Sequence, residues 1–83
     1  MVDIEQKAKR SNFLLTNEFF IETFEDLREE QKTVFANSAA SDIEAREEAH
    51  SIVRALNLIK AKLQTNVDTL ALEERKAKHR GSD

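Results

Sequence analysis

Two side chains of this chain have the spacing of metal ligands. Glu47 and His50 form the pattern Glu-x-x-His, which a helix of a di-iron carboxylate bundle contributes to its metal centre. A dimer would supply a second pair, with Glu22, Glu25 or Glu29 as further ligands, so a ferritin-like metal-binding protein is one alternative. At 100° per residue, however, Glu47 and His50 point away from the apolar stripe of their own helix. We therefore predict a solvated pair, no metal site and no cofactor.

A basic cluster near the C-terminus could contact phosphates, so a nucleic-acid-binding accessory protein is a second alternative. Basic residues also complement the dipole at a helix C-terminus. Glu73 and Glu74 lie directly alongside, and no aromatic residue is near enough to stack on bases. We therefore do not expect nucleic acid to be the partner. The cluster consists of Arg75, Lys76, Lys78 and Arg80.

Other arrangements that carry catalysis are missing from the sequence. It contains no nucleophile with a base in its context, no glycine-rich phosphate loop and no cluster of metal ligands. We predict that the protein is not an enzyme.

The composition predicts a small all-α domain that needs a partner. The chain has 83 residues, no cysteine, no proline and one glycine, so disulfides are excluded and a fold with many turns is hard to build. A chain this short has a marginal core, for which oligomerisation is the remaining remedy. No apolar run approaches the roughly 20 residues that span a bilayer, and the start lacks the apolar core of a signal peptide. We expect no membrane contact and a cytoplasmic location.

We predict one helical domain over residues 1–83. Its helices should cover residues 3–15, 17–37 and 41–78 approximately, and residues 79–83 should form a frayed tail.

Polar residues mark where the second and third helices begin. Thr16 or Asn17 can cap the second helix, because either side chain can accept a hydrogen bond from a free backbone N–H. Ser41 and Glu44 fit a capping box at the start of the third helix.

The third helix carries the pattern that predicts assembly. Its apolar residues recur at alternating steps of four and three, the heptad signature of a coiled coil, along about 57 Å of helix. Asn66 falls on a core position, where it either bonds its own symmetry mate or turns outward while Val67 takes its place. Leu58 and Leu72 lie off the main stripe, and stripes this wide on few helices imply an intermolecular partner. The predicted oligomer interface consists of Ile52, Leu56, Ile59, Leu63, Asn66 and Leu70.

The second and third helices are predicted to form an antiparallel hairpin, since residues 37–41 make a short connection. Helix one or a second copy of the chain would cover residues 66–78 beyond the hairpin. Residues 1–48 carry twelve acidic and six basic residues (net −6), and residues 49–83 carry four and seven (net +3), so the halves attract within one chain or between two. The predicted hairpin core consists of Phe20, Phe24, Leu27 and Val34.

About 50 of the 83 residues resemble a group of small all-helical proteins encoded by tailed bacteriophages and prophages. Their pattern is a short helix, an N-P-L-F-x-x-A-F-like helix start, a polar turn and a long helix with an R-E-x-x-x-x-x-x-R-A-L-like motif. The matching residues are Asn17-Glu18-Phe19-Phe20 with Phe24, and Arg46-Glu47 with Arg54-Ala55-Leu56. Glu18 stands where the pattern often has proline, and the long helix continues here through Val67-Asp68-Thr69-Leu70, where that of the group often ends near a glycine. The group generally has no assigned activity, so the resemblance implies a phage context rather than a mechanism.

These observations together predict a non-catalytic phage or prophage accessory protein. It should act as a homo-oligomeric interaction or assembly module that binds itself and a second phage or host protein. The resemblance implies a location in the cytoplasm of the bacterial host or within a phage particle.

Overall fold

A computed structural model describes residues 3–80 of the chain, without the side chain of Arg80. It contains three α-helices and, over the residues described, no strand: α1 (Ile4–Thr16), α2 (Glu18–Asn37) and α3 (Ile43–Arg80). The predicted all-α class is confirmed. Of the tail predicted for residues 79–83, residues 79 and 80 belong to α3, and residues 81–83 lie outside the described part of the chain.

Each helix begins at a side chain that caps its first turn. The carboxylate of Asp3 accepts a hydrogen bond from the backbone N–H of Gln6 at 2.8 Å, and the amide oxygen of Asn17 accepts one from Phe20 at 2.9 Å. At α3 the cap is Asp42, which accepts from the N–H of Ala45 at 3.2 Å.

The capping box predicted from Ser41 and Glu44 is wrong, because the cap is Asp42 and the residue three positions after it is Ala45, whose side chain cannot bond back to the cap. Ser41 lies in the turn before the helix, and its neighbour Asp42 supplies the oxygen. Both residue types are good N-caps, and the turn between α2 and α3 decides which one stands at the helix start. The backbone N–H of Asp42 donates to the carbonyl of Ala39 at 2.9 Å, which closes that turn.

A single residue, Asn17, separates α1 from α2. Its backbone is extended, with φ −79° and ψ 119°, and its N–H donates to the carbonyl of Leu14 at 3.2 Å. Asn17 thus ends one helix with its backbone and begins the next with its side chain, which is how two helices meet at a bend without a loop.

We expect Asn17→Ala to lower the free energy of unfolding by about 1 kcal/mol, because the N–H of Phe20 loses its acceptor. Thermal or urea unfolding followed by circular dichroism measures the difference. Asn17→Asp keeps an oxygen in the same place and is the control, so equal destabilisation of both variants would show that the cap contributes nothing.

The two shorter helices follow one another along α3. α2 runs in the opposite direction to α3, and α1 lies further along, beyond residue 60. The contacts that define this order are Phe35 with Arg46, Glu25 with Lys60, and Ser11 with Asn66.

The result is a rod rather than a compact body. Its dimensions are 64 × 24 × 23 Å and its radius of gyration is 18.2 Å, whereas a compact domain of this length has a radius of gyration of about 12 Å. The accessible surface is 6680 Å², against about 5000 Å² for a compact protein of the same mass.

The buried core of this rod is small. Among the described residues its apolar members are Ala8, Phe24, Ala49 and Leu56. The ring of Phe20 packs on that of Phe24 with centroids 4.4 Å apart, and Phe20 itself is half-buried. Alanines make up half of this core. The shorter helices can therefore pack close to α3, but little apolar area is removed from water.

Candidate interaction surface

The packing of α2 on α3 gives this helix pair two different flanks. Phe24 and Leu56 are buried between the helices. Arg28 follows Phe24 by four residues, and Lys60 follows Leu56 by four. The guanidinium of Arg28 lies 3.2 Å from the carboxylate of Glu25, and the ammonium group of Lys60 lies 3.7 Å from the same carboxylate. Positions four residues after the buried ones therefore share one side of the pair. We call Glu25, Arg28 and Lys60 the charged flank.

Positions three residues after the same buried side chains lie on the opposite side. A step of four residues turns a helix 40° past a full turn, whereas a step of three falls 60° short of one. Leu27 and Ile59 occupy these positions and are 36% and 48% exposed. Val34 and Ile52 lie one heptad away on the same faces; Val34 is 47% exposed and Ile52 is half-buried. We call Leu27, Val34, Ile52 and Ile59 the apolar flank.

The register of the two helices places these four residues at two heights along the helix axis, which we call levels, with one residue from each helix at each level. The Glu25–Lys60 contact places Leu27 within about a turn of Ile59, and the Phe35–Arg46 contact places Val34 within about one and a half turns of Ile52. The two levels are about 10 Å apart, one heptad of helix rise. The apolar flank thus consists of two pairs of aliphatic side chains, one pair at each level, along one side of the helix pair.

The structure divides the residues predicted as hairpin core between the core and this surface. Phe24 is buried and Phe20 packs on it, but Leu27 and Val34 belong to the apolar flank. The helical spacing places all four on one broad face of α2, and a single neighbouring helix covers only part of that face.

The residues predicted as the oligomer interface are divided in the same way. Leu56 is buried against α2, Leu63 and Leu70 are half-buried, and Asn66 is bonded to α1. Ile52 and Ile59 are the members that belong to the apolar flank. Leu58 and Leu72, off the main stripe, are 63% and 48% exposed. Whether any of these residues contacts a second copy stays a prediction.

Asn66 has a partner within its own chain. Its amide nitrogen donates to the hydroxyl of Ser11 on α1 at 2.9 Å, and Ser11 is buried. Ala8, one turn before Ser11, is also buried, so α1 crosses α3 through small residues. Asn66 is therefore bonded to α1 instead of turning outward, and its bonding to a symmetry mate stays a prediction. The sequence did not reveal the pair, because 55 residues separate its members.

We expect the Ser11–Asn66 hydrogen bond to show a coupling free energy of about 0.5–1.5 kcal/mol. Ser11→Ala, Asn66→Ala and the double variant, unfolded in urea, give that value as a double-mutant cycle. Additive losses in the double variant would mean that the two side chains do not interact.

A cavity of about 330 Å³ opens on the other side of the pair, near the turn. The ring of Phe35, with the guanidinium of Arg46 4.4 Å from its centroid, lines this cavity and also a second hollow of about 300 Å³. His50 lines both hollows and Glu47 lines the second, and both residues are exposed. Across residues 3–80, side chains that could hold a metal ion do not gather in groups of three or more.

The basic cluster at the end of α3 is solvated over its described members. Arg75, Lys76 and Lys78 are exposed, and Lys76 pairs with Glu73 at 3.7 Å. The side chain of Arg80 lies outside the described residues.

Neither α1, α2 nor α3 combines the length and apolar character that a bilayer-crossing helix needs. The comparisons with known proteins add no relative: no protein-family model, no curated protein and no solved structure matches the chain.

Proposed function

We propose that this protein is a non-catalytic, homo-oligomeric module that mediates protein–protein interaction or assembly. The observation that carries the proposal is the number of large apolar side chains at the surface of so small a chain. Among the described residues, the exposed large apolar side chains are Ile4, Phe13, Phe19, Ile21, Leu27, Val34, Phe35, Ile43, Leu58, Ile59 and Leu72.

The amount of exposed surface supports the same proposal. The accessible surface of 6680 Å² exceeds that of a compact protein of this mass by about 1600 Å². A protein–protein interface of standard size removes about 800 Å² from each partner. The rod therefore has enough surplus surface for an interface of that size, and much of it is aliphatic or aromatic.

The proposed setting is a tailed phage or prophage, either in the host cytoplasm or in the particle, with a phage or host protein as a second partner. This part rests on the resemblance of residues 17–20 and 46–56 to small phage proteins. Sequencing the genes beside its coding region tests it: phage structural or packaging genes are expected there, and a purely chromosomal neighbourhood would count against it.

Native mass by light scattering, over a hundredfold range of concentration, tests the oligomeric module. We expect a multiple of 9.5 kDa that persists to micromolar concentration. A mass of 9.5 kDa throughout the range would overturn the proposal.

A further inference from the structure

We propose that the apolar flank binds the apolar flank of a second copy, and that the two α2–α3 pairs form a four-helix bundle. This inference rests on the proposed function and specifies its surface, its stoichiometry and its symmetry. The surface is Leu27, Val34, Ile52 and Ile59, the stoichiometry is two, and the contact is isologous, with the same patch used by both copies.

The choice of flank follows from the charges. On the charged flank Glu25 is already paired with Arg28 and Lys60, and burying those groups in an interface would cost their desolvation. The four members of the apolar flank carry no charge, and the acidic side chains beside Val34 are Asp26, Glu29 and Glu30. Burying the apolar flank removes apolar area from water on both copies.

The choice of a second copy as occupant follows from the geometry of the flank. Its four residues form two levels about 10 Å apart, and α1 lies beyond residue 60 of α3, past the end of the flank. A two-helix layer of this kind closes into a four-helix bundle when an identical layer is placed on it, because the heptad spacing of each helix then meets the same spacing across the interface.

Charge complementarity selects the arrangement of the two layers. α2 carries six acidic and two basic residues, a net charge of −4, and the part of α3 beside it, residues 43–65, carries three acidic and four basic residues, a net charge of +1. A two-fold axis parallel to the helices sets α2 of each copy over α3 of the other, whereas an axis across the helices sets α2 on α2. The first arrangement pairs opposite charges, and the second pairs like charges.

In the first arrangement each level of the flank is built from both copies. Val34 of one copy faces Ile52 of the other, and Leu27 faces Ile59. The four residues then form two aliphatic layers in the centre of the bundle.

Light scattering of charge-bearing variants tests the surface. The wild-type chain should have twice the mass of 9.5 kDa, and Leu27→Glu and Ile59→Glu should halve it while keeping the helical circular-dichroism spectrum, since both side chains are already partly exposed. The matched controls Leu58→Glu and Leu72→Glu place the same charge on exposed sites off the flank, and they should stay dimeric.

The outcomes separate this inference from the proposed function. A monomeric wild type would overturn both. If the wild type is oligomeric and both flank variants keep its mass, the proposed function stands and the apolar flank is not the interface. A wild-type mass other than twice 9.5 kDa would also leave the function standing and overturn the dimer.

Cysteine cross-linking tests the symmetry, since the chain has no cysteine of its own. Oxidising an equal mixture of the Val34→Cys and Ile52→Cys chains should give a covalent dimer, and oxidising either variant alone should not. A covalent dimer of Val34→Cys alone would place α2 on α2 and overturn the arrangement, as would a mixture that forms no covalent dimer.

Discussion

Leu56→Asp is expected to leave the chain without a cooperative unfolding transition. Leu56 is 8% exposed and belongs, with Phe24, to a core with few members. Removing a buried leucine side chain alone costs about 2–5 kcal/mol, and an unpaired carboxylate in the same place adds its desolvation. The free energy of unfolding of a small domain is only about 5–15 kcal/mol in total. We therefore expect the variant to show a weak helical signal, measured by circular dichroism during heating.

The chain provides a matched control for this substitution two residues further along α3. Leu58 is 63% exposed, so Leu58→Asp introduces the same change where water already solvates the side chain. We expect it to retain the helical spectrum and to change the unfolding free energy by about 0.5 kcal/mol or less. A Leu56→Asp variant that unfolds like Leu58→Asp would contradict the packing of α2 on α3 described above.

Ala8→Leu is expected to displace α1 from α3. Ala8 is 3% exposed and lies one turn from Ser11, where the two helices approach closely through small side chains. Three additional carbon atoms have no room at such a crossing, and overpacking of this kind costs about 1–3 kcal/mol. Since α1 is only 13 residues long, it is not stable as a helix once undocked.

Limited proteolysis or amide hydrogen exchange measures this displacement directly. We expect fast exchange and cleavage within α1, while α2 and α3 keep their protection. Lys9→Leu is the control, because Lys9 is the next residue, is exposed and has the same helical context. Equal protection of α1 in both variants would mean that the crossing has space for a larger side chain.

Much of the secondary structure follows from the sequence because it depends on neighbouring residues. The three helices lie within a few residues of the predicted ranges, since heptad spacing and the absence of proline act locally. Asn17 was one of two predicted caps for α2 and is the residue that caps it. At α3 the pattern was less decisive, because Ser41 and Asp42 are both good caps and the geometry of the turn selects Asp42.

The division between core and surface depends on more than the pattern of one helix. The spacing assigned Leu27 and Val34 to the same face as Phe24, and the tertiary structure alone shows that α3 covers Phe24 and leaves the other two at the edge. A helical periodicity gives the direction of a face, but the width that is covered depends on how many helices pack on it and at what register.

For the polar residue Asn66, too, the pattern of one helix did not predict the tertiary contact. Its place on a core position was evident from the sequence, and its partner was not, because Ser11 belongs to a helix 55 residues away. The sequence by itself therefore determined the helices, most of their ends and the excess of apolar side chains over what they can bury. Only the tertiary structure decided which of those side chains remain at the surface, since that depends on the docking of α1 and α2 along α3 and on the Glu25–Lys60 contact that identifies the charged flank.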